Sequence, residues 1–341
     1  MLHAALQPVI AVALAAALTG CWFSERVEEF AGPTMGSTYS VKYVRTEGAP
    51  AVEALQAETE AILAEVDRQM STYRDDSLIS RFNRAPAGSC MAMPAEMLQL
   101  VSVGQALAQE SGGAFDLTLE PLLNLWGFGP QARVERLPTA EQLAEARSRT
   151  GHRHLRIDGE RLCKDVDLQL DLNSIAAGYT VDRIVARLVE LGVTRYLVDV
   201  TGELKAAGRK PGGDAWRIAI EAPRDDERVA QRVLELDGYG ISTSGDYRNY
   251  FEENGTRYSH TLDPQTGAPI GHKLASVTVA DPSTLRADGL STLLMVLGPA
   301  RGLAYAERAG IAAFFVIRDG ERFVTQTSGA FERLFAEGEE Q

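Results

Sequence analysis

Asp288 and Thr292 stand four residues apart in a segment with helical spacing, and together they could bind a metal ion. Residues four apart share one face of a helix, so the Asp288 carboxylate and the Thr292 hydroxyl would point the same way. Such oxygens suit Mg²⁺, which takes few protein ligands and completes its octahedron with water or phosphate oxygens. The same spacing is also common on a solvated helix face, so the pair alone leaves both interpretations open.

A second candidate is the turn from Asp171 to Gly178, which links an alternating apolar segment to a helical pattern. The free N–H groups of a helix N-terminus bind phosphate well. Asn173 or Ser174 could instead cap the helix with their side chains. The sequence leaves a phosphate-binding turn and a simple cap as alternatives.

The segment from Gly240 to Gly267 is too polar for a core and too long for a tight turn, which predicts a site built from loops. Its candidate side chains are Ser242, Thr243, Ser244, Asp246, Tyr247, Arg248, His260, Asp263 and Thr266. His260 is the only histidine in this segment, and it could be a general base or a histidine satisfied within a turn. The chain has neither a Gly-x-Ser-x-Gly nucleophile elbow nor a P-loop motif.

Strands and helices must hold these candidates in place. Alternating and helical apolar spacing predicts strands at 38–44, 166–172, 195–200, 216–221, 275–280 and 312–317, with helices at 51–70, 94–110, 286–298 and 300–309. Thr139 and Gln142 predict a capping box for a further helix. Helices alternate with strands, and some strands follow one another directly. This order predicts an α+β fold with a mixed sheet and packed helices in a single large domain.

The N-terminus predicts export. Residues 9–18 are apolar and end in Leu18-Thr19-Gly20-Cys21, which resembles a bacterial lipobox with Cys21 as the acylated residue. The run is too short to span a membrane and is typical of a signal segment. We therefore expect a signal peptide over 1–20, a lipid anchor at Cys21 and a tether over 21–32. An ordinary signal peptide cut at another position is the alternative.

The remaining composition narrows the class of protein. A formal net charge of −13 argues against binding to nucleic acid. Cys90 and Cys163 could form a disulfide in an oxidising compartment or remain separate buried thiols, and the sequence does not decide between them.

Several segments, in order, resemble the FAD:protein FMN transferase (ApbE) family over about residues 30–325. The matching segments are Met35-Gly36-Ser37, Ser71-Thr72-Tyr73, 77–83, Gly113-Ala114-Phe115-Asp116, Leu125-Trp126-Gly127-Phe128, 171–182, 242–247, Tyr258-Ser259-His260, Asp263-Pro264, Thr266-Gly267, and Ala287-Asp288 with Thr292. The resemblance implies a reaction in which FMN moves from FAD to a threonine hydroxyl of another protein and AMP is released.

The resemblance also implies a set of site residues. Mg²⁺ would be held by Asp288, Thr292 and the backbone carbonyl of Ser174, with His260 as the base. FAD contacts would fall at Met35, Tyr73, Ala114, Phe115, Asp116, Asp171 and Leu262, and at the two positions of Ala177 and Ser291. These last two depart from the family, because many relatives have Lys or Glu at the first and some have Asp at the second.

The expected organisation is a flavin transferase domain over 33–330 and a C-terminal tail over 331–341. Partners implied by the resemblance are subunits of membrane redox complexes with a threonine in a Ser-Gly-Ala-Thr-like motif. The lipid anchor would hold the enzyme on the periplasmic side of a bacterial membrane, with the inner membrane favoured. Two alternatives use the same residues: a pyrophosphatase that cuts FAD to free FMN and AMP, and a non-catalytic FAD-binding lipoprotein.

Overall fold

Buried and more exposed side chains alternate along the strand Trp216–Glu221, whereas the strand Leu274–Asp281 is buried at every residue except the last. The computed structural model describes residues 24–130, 137–224, 229–247 and 249–336. The predicted signal peptide, Cys21 and Arg248 lie outside these residues. The described strands are β1 Arg26–Thr34, β2 Ser37–Arg45, β3 Cys90–Ala92, β4 Leu155–Asp158, β5 Arg161–Lys164, β6 Tyr196–Val200, β7 Glu203–Ala207, β8 Trp216–Glu221, β9 Ala230–Leu236, β10 Tyr239–Gly245, β11 Tyr250–Glu253, β12 Thr256–Ser259, β13 Leu262–Asp263, β14 Ala268–Pro269, β15 Leu274–Asp281, β16 Ala312–Asp319 and β17 Arg322–Thr327.

The main sheet has eight strands in the order β1-β2-β6-β7-β10-β15-β16-β17. Every neighbouring pair in it is antiparallel. The α+β class is confirmed, and the sheet is more uniform than the mixed sheet that was predicted. Smaller sheets join β3-β5-β4, β8-β9, β11-β12 and β13-β14.

Helices cover one face of the main sheet. The described helices are α1 Val52–Met70, α2 Leu78–Arg84, α3 Ala95–Glu110, α4 Glu120–Leu125, α5 Ala140–Ser148, α6 Ala176–Glu190, α7 Thr284–Ala309 and α8 Gly329–Leu334. Phe315 packs in the core shared with α3 and α7, whereas its neighbours Phe314 and Val316 pack against the β8–β9 hairpin and α8. The main sheet therefore has a core on each face. No helix of the described chain is long and apolar enough to span a membrane.

The two helices predicted at 286–298 and 300–309 are present as the two halves of α7, which meet at a kink. Gly298 takes φ 75° and Pro299 follows it, so the helical path changes direction there. Ser283 caps the first turn, and Gly310 ends the helix in the left-handed conformation. The Thr139–Gln142 capping box is confirmed at the start of α5.

The folded domain extends beyond both predicted bounds, residues 33 and 330. Residues 26–32 belong to β1 rather than to a tether, because β1 pairs along its full length with β2 and buries Phe30. Residues 331–334 belong to α8 rather than to a tail, because Phe331 is fully buried among Phe314 and Phe335.

The predicted strand at 166–172 is an extended segment with one isolated bridge, from Gln169 to Leu119. Its alternating residues Leu168, Leu170 and Leu172 are buried as predicted. Side chains take the place of a neighbouring strand here. The Asn83 amide bonds both backbone groups of Leu170, and Lys164 Nζ donates to the Leu168 carbonyl at 2.9 Å.

A site built from loops was predicted for the polar segment 240–267. The segment instead contains strand β10 of the main sheet and the β11–β12 hairpin. Its polar side chains serve a site at the end of the sheet.

Cys90 and Cys163, for which the sequence left a disulfide or separate thiols open, face each other across β3 and β5 and form a disulfide.

Candidate active site

One large cavity gathers most of the residues that the sequence singled out. It has a volume of about 750 Å³ and lies where the main sheet meets α4, α7 and the turn before α6. The predicted residues in its lining are Tyr73, Ala114, Phe115, Asp116, Asp171, Ser174, His260, Leu262, Asp288 and Thr292. A cavity of this size and mixed polarity is typical of a small-molecule site.

Asp288 reaches the cavity from a buried position in α7. Its Oδ2 accepts a hydrogen bond from the Gly178 N–H at 2.9 Å, and its Oδ1 accepts from the Ser242 hydroxyl at 3.4 Å. Gly178 permits this contact because α6 and α7 lie so close that a side chain there would overlap α7. Thr292 lies one turn further along α7, with its hydroxyl 3.4 Å from that of Ser244. The shared helix face predicted from the spacing is therefore present.

Glu203 is a site residue that sequence reasoning missed. Its Oε2 accepts from the Thr201 hydroxyl at 2.9 Å, and the Ser242 hydroxyl lies between it and Asp288, 3.5 Å from Glu203 Oε1. Burial raises the pKa of Glu203 to about 7. Burial and the nearby Glu203 charge raise the pKa of Asp288 well above its usual value. Next to Glu203, Thr201 and Gly202 both have positive φ and form a turn. The glycine of this turn is the feature of the sequence that lies beside Glu203.

These groups fit a divalent cation. Among the described residues, neither Asp288 nor Glu203 has an ion pair with Lys or Arg, so the two buried carboxyl groups lack a compensating charge. The described chain has no cluster of three or more His, Cys, Asp or Glu suited to a metal. The donors at this end of the cavity are instead one carboxylate, the Thr292 hydroxyl and the Ser174 backbone, which match the hard oxygen ligands of Mg²⁺.

A second pair of carboxyl groups lies beneath the predicted phosphate-binding turn. Asp171 accepts from the Asn173 N–H at 2.7 Å and from the Asn173 amide at 3.0 Å. The second member of the pair is Glu120, which is 4% exposed and interacts electrostatically with Asp171. Burial and the Asp171 charge raise the pKa of Glu120 to about 8. Sequence reasoning missed Glu120, because nothing in its own segment indicates its contact with Asp171.

His260 lies just after β12 and faces the cavity. Its backbone N–H and its ring Nδ1 both contact the Asn249 carbonyl, at 3.1 and 3.0 Å. A carbonyl only accepts, so Nδ1 carries the proton and Nε2 is left as the basic nitrogen. Burial lowers the pKa of His260 from 6.5, which keeps the ring neutral at physiological pH. This is the protonation state that a general base requires.

The other predicted site residues differ in where they lie relative to the cavity. Tyr73 is 69% exposed at the rim, while Phe115 and Leu262 are buried in the wall. Asp116 lines the cavity, but its oxygens already accept from the Thr118 N–H and hydroxyl and from the His152 N–H. It therefore shapes the loop around the site.

Three predicted FAD contacts do not line the cavity. Met35 is 39% exposed in the β1–β2 turn, next to Ser37 and Thr38, which do line it. Ala177 is buried in the first turn of α6. Ser291 is fully buried, lies 2.8 Å from the Ser244 hydroxyl and donates to the Asp288 carbonyl at 2.9 Å, so it supports the face of α7 that carries Asp288 and Thr292.

Comparisons with known proteins agree with this arrangement. The model of the ApbE family matches residues 35–315. The chain is 43% identical over 325 residues to the FAD:protein FMN transferase of Vibrio cholerae serotype O1, covering 95% of this chain and 97% of that protein. It is 42% identical over 337 residues to the FAD:protein FMN transferase of Haemophilus influenzae, covering 96% and 97%.

Solved structures show the same likeness. The crystal structure of the Pseudomonas stutzeri flavinyl transferase ApbE in its apo form superposes with a TM-score of 0.88 at 65% identity, covering 93% of this chain and 99% of that one. The flavin transferase ApbE from Vibrio cholerae gives a TM-score of 0.85 at 42% identity, covering 92% and 100%. The ordered motifs, the cavity that they line and these matches over most of its length show that the chain belongs to the ApbE family.

Proposed function

We propose that the protein transfers FMN from FAD to a threonine hydroxyl of an acceptor protein, in a reaction that depends on Mg²⁺. The observation that carries the proposal is that Asp288, Thr292 and Ser174, which offer oxygen ligands, line the same cavity as His260, whose pKa is lowered by burial. Relatives that match the chain over nearly their full length are named FAD:protein FMN transferases. A binding protein would need no base, so His260 favours catalysis over storage of FAD.

Each of the site residues would have its own role in the proposed reaction. Mg²⁺, held by Asp288, Thr292 and the Ser174 carbonyl, would neutralise the pyrophosphate oxygens of FAD when bound. The N–H groups that open α6 are used within the fold, because those of Ile175 and Ala176 donate to the Leu172 carbonyl and that of Gly178 donates to Asp288. His260 Nε2 accepts the proton of the acceptor threonine. The threonine oxygen then forms a bond to the FMN phosphorus, and the bond to the AMP phosphate oxygen breaks with its electron pair leaving on AMP.

The location and partners of the enzyme are part of the same proposal. A lipid anchor at Cys21 would hold the domain at the periplasmic face of a bacterial membrane, with the inner membrane favoured. Threonine-bearing subunits of membrane redox complexes would be its acceptors. The lipobox-like Leu18-Thr19-Gly20-Cys21 supports the anchor, and the described domain begins only a few residues later, in β1.

The test is to incubate the purified chain with FAD, Mg²⁺ and a synthetic peptide that contains Ser-Gly-Ala-Thr. Mass spectrometry should show one FMN on the threonine peptide and none on a matched peptide with valine in place of threonine. Free FMN with AMP would indicate a pyrophosphatase instead. Bound FAD without AMP would indicate a binding protein.

A further inference from the structure

One wall of the cavity is left over once the FAD and Mg²⁺ positions are assigned. Strand β8 contributes residues 218–221 to this wall, and the β6–β7 turn contributes Thr201 and Gly202. The family positions for FAD lie in other elements, around Tyr73, 114–116 and Asp171. A transferase must also admit a polypeptide substrate, and this wall is one part of the cavity available to it.

Strand β8 borders the cavity with its edge and not with one of its faces. Successive side chains of a strand point to opposite faces, yet the four consecutive residues 218–221 all line the cavity. Ile218 and Ile220 are buried on one face, and Ala219 is exposed on the other. No residue of β9 lines the cavity in the described chain, so β8 is the strand of the hairpin that borders it.

This edge has no neighbouring strand. Within the described residues β8 pairs with β9 and with no other strand. No backbone hydrogen bond links residues 217–220 to any part of the described chain outside this hairpin. A strand edge in this state presents N–H and C=O groups to a second extended chain, and peptide recognition by strand addition uses such edges.

We propose that the acceptor protein binds β8 as an added strand, so that its extended threonine segment crosses the cavity and presents the hydroxyl to His260. The inference rests on the proposed transfer of FMN to a threonine. Main-chain pairing would hold acceptors of different sequence in the same register. Specificity would come from every second side chain, which faces Ile218 and Ile220.

The test replaces backbone N–H groups of the acceptor peptide by N-methyl groups, one position at a time, on both sides of the threonine. In an added strand only every second N–H points to β8. We expect kcat/KM to fall about fivefold or more at alternate positions, because each loses one hydrogen bond, and to change little at the positions between. A fall of equal size at every position, or at none, would overturn the proposal.

A pair of enzyme variants tests the same edge from the other side. Ala219 and Val233 are cross-strand partners with side chains on one face of the hairpin, but only Ala219 borders the cavity. A219R should raise KM for the peptide about tenfold or more while FAD affinity stays constant, and V233R should leave both unchanged. Equal effects of the two variants would contradict docking at β8.

The outcomes separate this proposal from the function on which it rests. If the unmodified peptide receives no FMN, the transfer proposal fails and the strand proposal fails with it. If the unmodified peptide is flavinylated but the N-methyl series shows no alternation, the transferase assignment stands and docking at β8 is wrong.

Discussion

At the scale of single residues, His260 owes its protonation state to a backbone carbonyl and to burial. The Asn249 carbonyl holds Nδ1 as the protonated nitrogen, and burial lowers the pKa of the ring. A general base contributes about 10²- to 10⁴-fold to a proton-transfer step. The effect of removing it should therefore appear in the rate and not in the binding of FAD.

We expect His260→Ala to lower kcat for FMN transfer by about two to four orders of magnitude while FAD affinity, measured by calorimetry, stays within a few-fold. The wild-type rate should fall with decreasing pH only below pH 6.5, because the lowered pKa keeps His260 neutral above it. His154→Ala is the control, since His154 is exposed and contacts Asp165 outside the cavity. Loss of FAD binding in His260→Ala would point to a structural role.

The Glu120–Asp171 pair makes a prediction about stability. The folded-state pKa of Glu120 is raised from 4.5 to about 8, so the protein favours the protonated form. Its contribution to stability is complete below pH 4.5 and is lost as the pH rises through about 8. Glu120→Gln retains the hydrogen-bond donor and never ionises. We expect the variant to have a higher Tm than the wild type, with a difference that grows between pH 5 and pH 9.

The size of that difference should correspond to roughly 1–3 kcal/mol at pH 9, the usual range when a buried charge without a cation is removed. Thermal unfolding across the pH series measures it. A difference that shrinks as the pH rises would show that Glu120 is ionised in the folded protein at neutral pH.

At the scale of elements, the contact between α6 and α7 positions the Asp288 carboxylate. A Cβ on Gly178 would lie 2.4 Å from the Thr284 carbonyl oxygen and 2.7 Å from the Asp288 Cβ. Both neighbours belong to a buried helix and cannot turn aside. The glycine therefore allows the α6 N–H group to reach the Asp288 carboxylate directly.

We expect Gly178→Ala to force the two helices apart, to destabilise the fold by about 1–3 kcal/mol and to weaken Mg²⁺ binding at least tenfold. Unfolding curves and calorimetric titration with Mg²⁺ measure the two effects. Gly271→Ala is the matched control, because a Cβ there meets no atom within 4 Å. Normal Mg²⁺ affinity in Gly178→Ala would argue against a cation at Asp288.

The sequence predicted the elements whose pattern lies within one segment. Helical spacing located α1, α3 and α7, and alternation located β2, β6, β8, β15 and β16. It failed where the partner is distant. Strand β1 has a Gly-Pro pair and acidic residues, and it is a strand only because β2 pairs with it. The segment 166–172 alternates like a strand but finds Asn83 and Lys164 as partners instead.

The same distinction holds for the site. Asp288 and Thr292 share a helix face that their spacing reveals, and His260 stood out by its type in a polar segment. The charge of Glu203 raises the pKa of Asp288 and that of Asp171 raises the pKa of Glu120, although the members of each pair are far apart in the sequence. Buried pairs of this kind depend on the folded arrangement, so no local pattern predicts them.

At the scale of the whole molecule, the proposed lipid anchor at Cys21 would add a function that the described domain does not itself carry. The described domain carries the cavity without any membrane-spanning helix among its residues. A tether of acyl chains at Cys21 would place this domain and its membrane-bound acceptors on one surface. Confinement to one surface raises their effective concentration without a change in the chemistry.

A chain that lacks residues 1–21 should therefore flavinylate an isolated acceptor domain at the wild-type rate and label acceptors in membrane vesicles at least tenfold more slowly. The comparison requires the full-length chain in the same vesicles, with gel fluorescence of covalent flavin as the readout. Equal labelling of vesicles by both forms would show that the anchor does not contribute to substrate encounter.

The ratio of AMP to peptide-bound flavin distinguishes direct passage of FMN from FAD to the acceptor threonine from hydrolysis of FAD. Both products are measured in one reaction of the enzyme with FAD, Mg²⁺ and the threonine peptide. We expect equal amounts of AMP and flavinylated peptide at every time point, with both products lost in Asp288→Ala. AMP in large excess over flavinylated peptide, matched by free FMN, would contradict transfer and assign the cavity to hydrolysis.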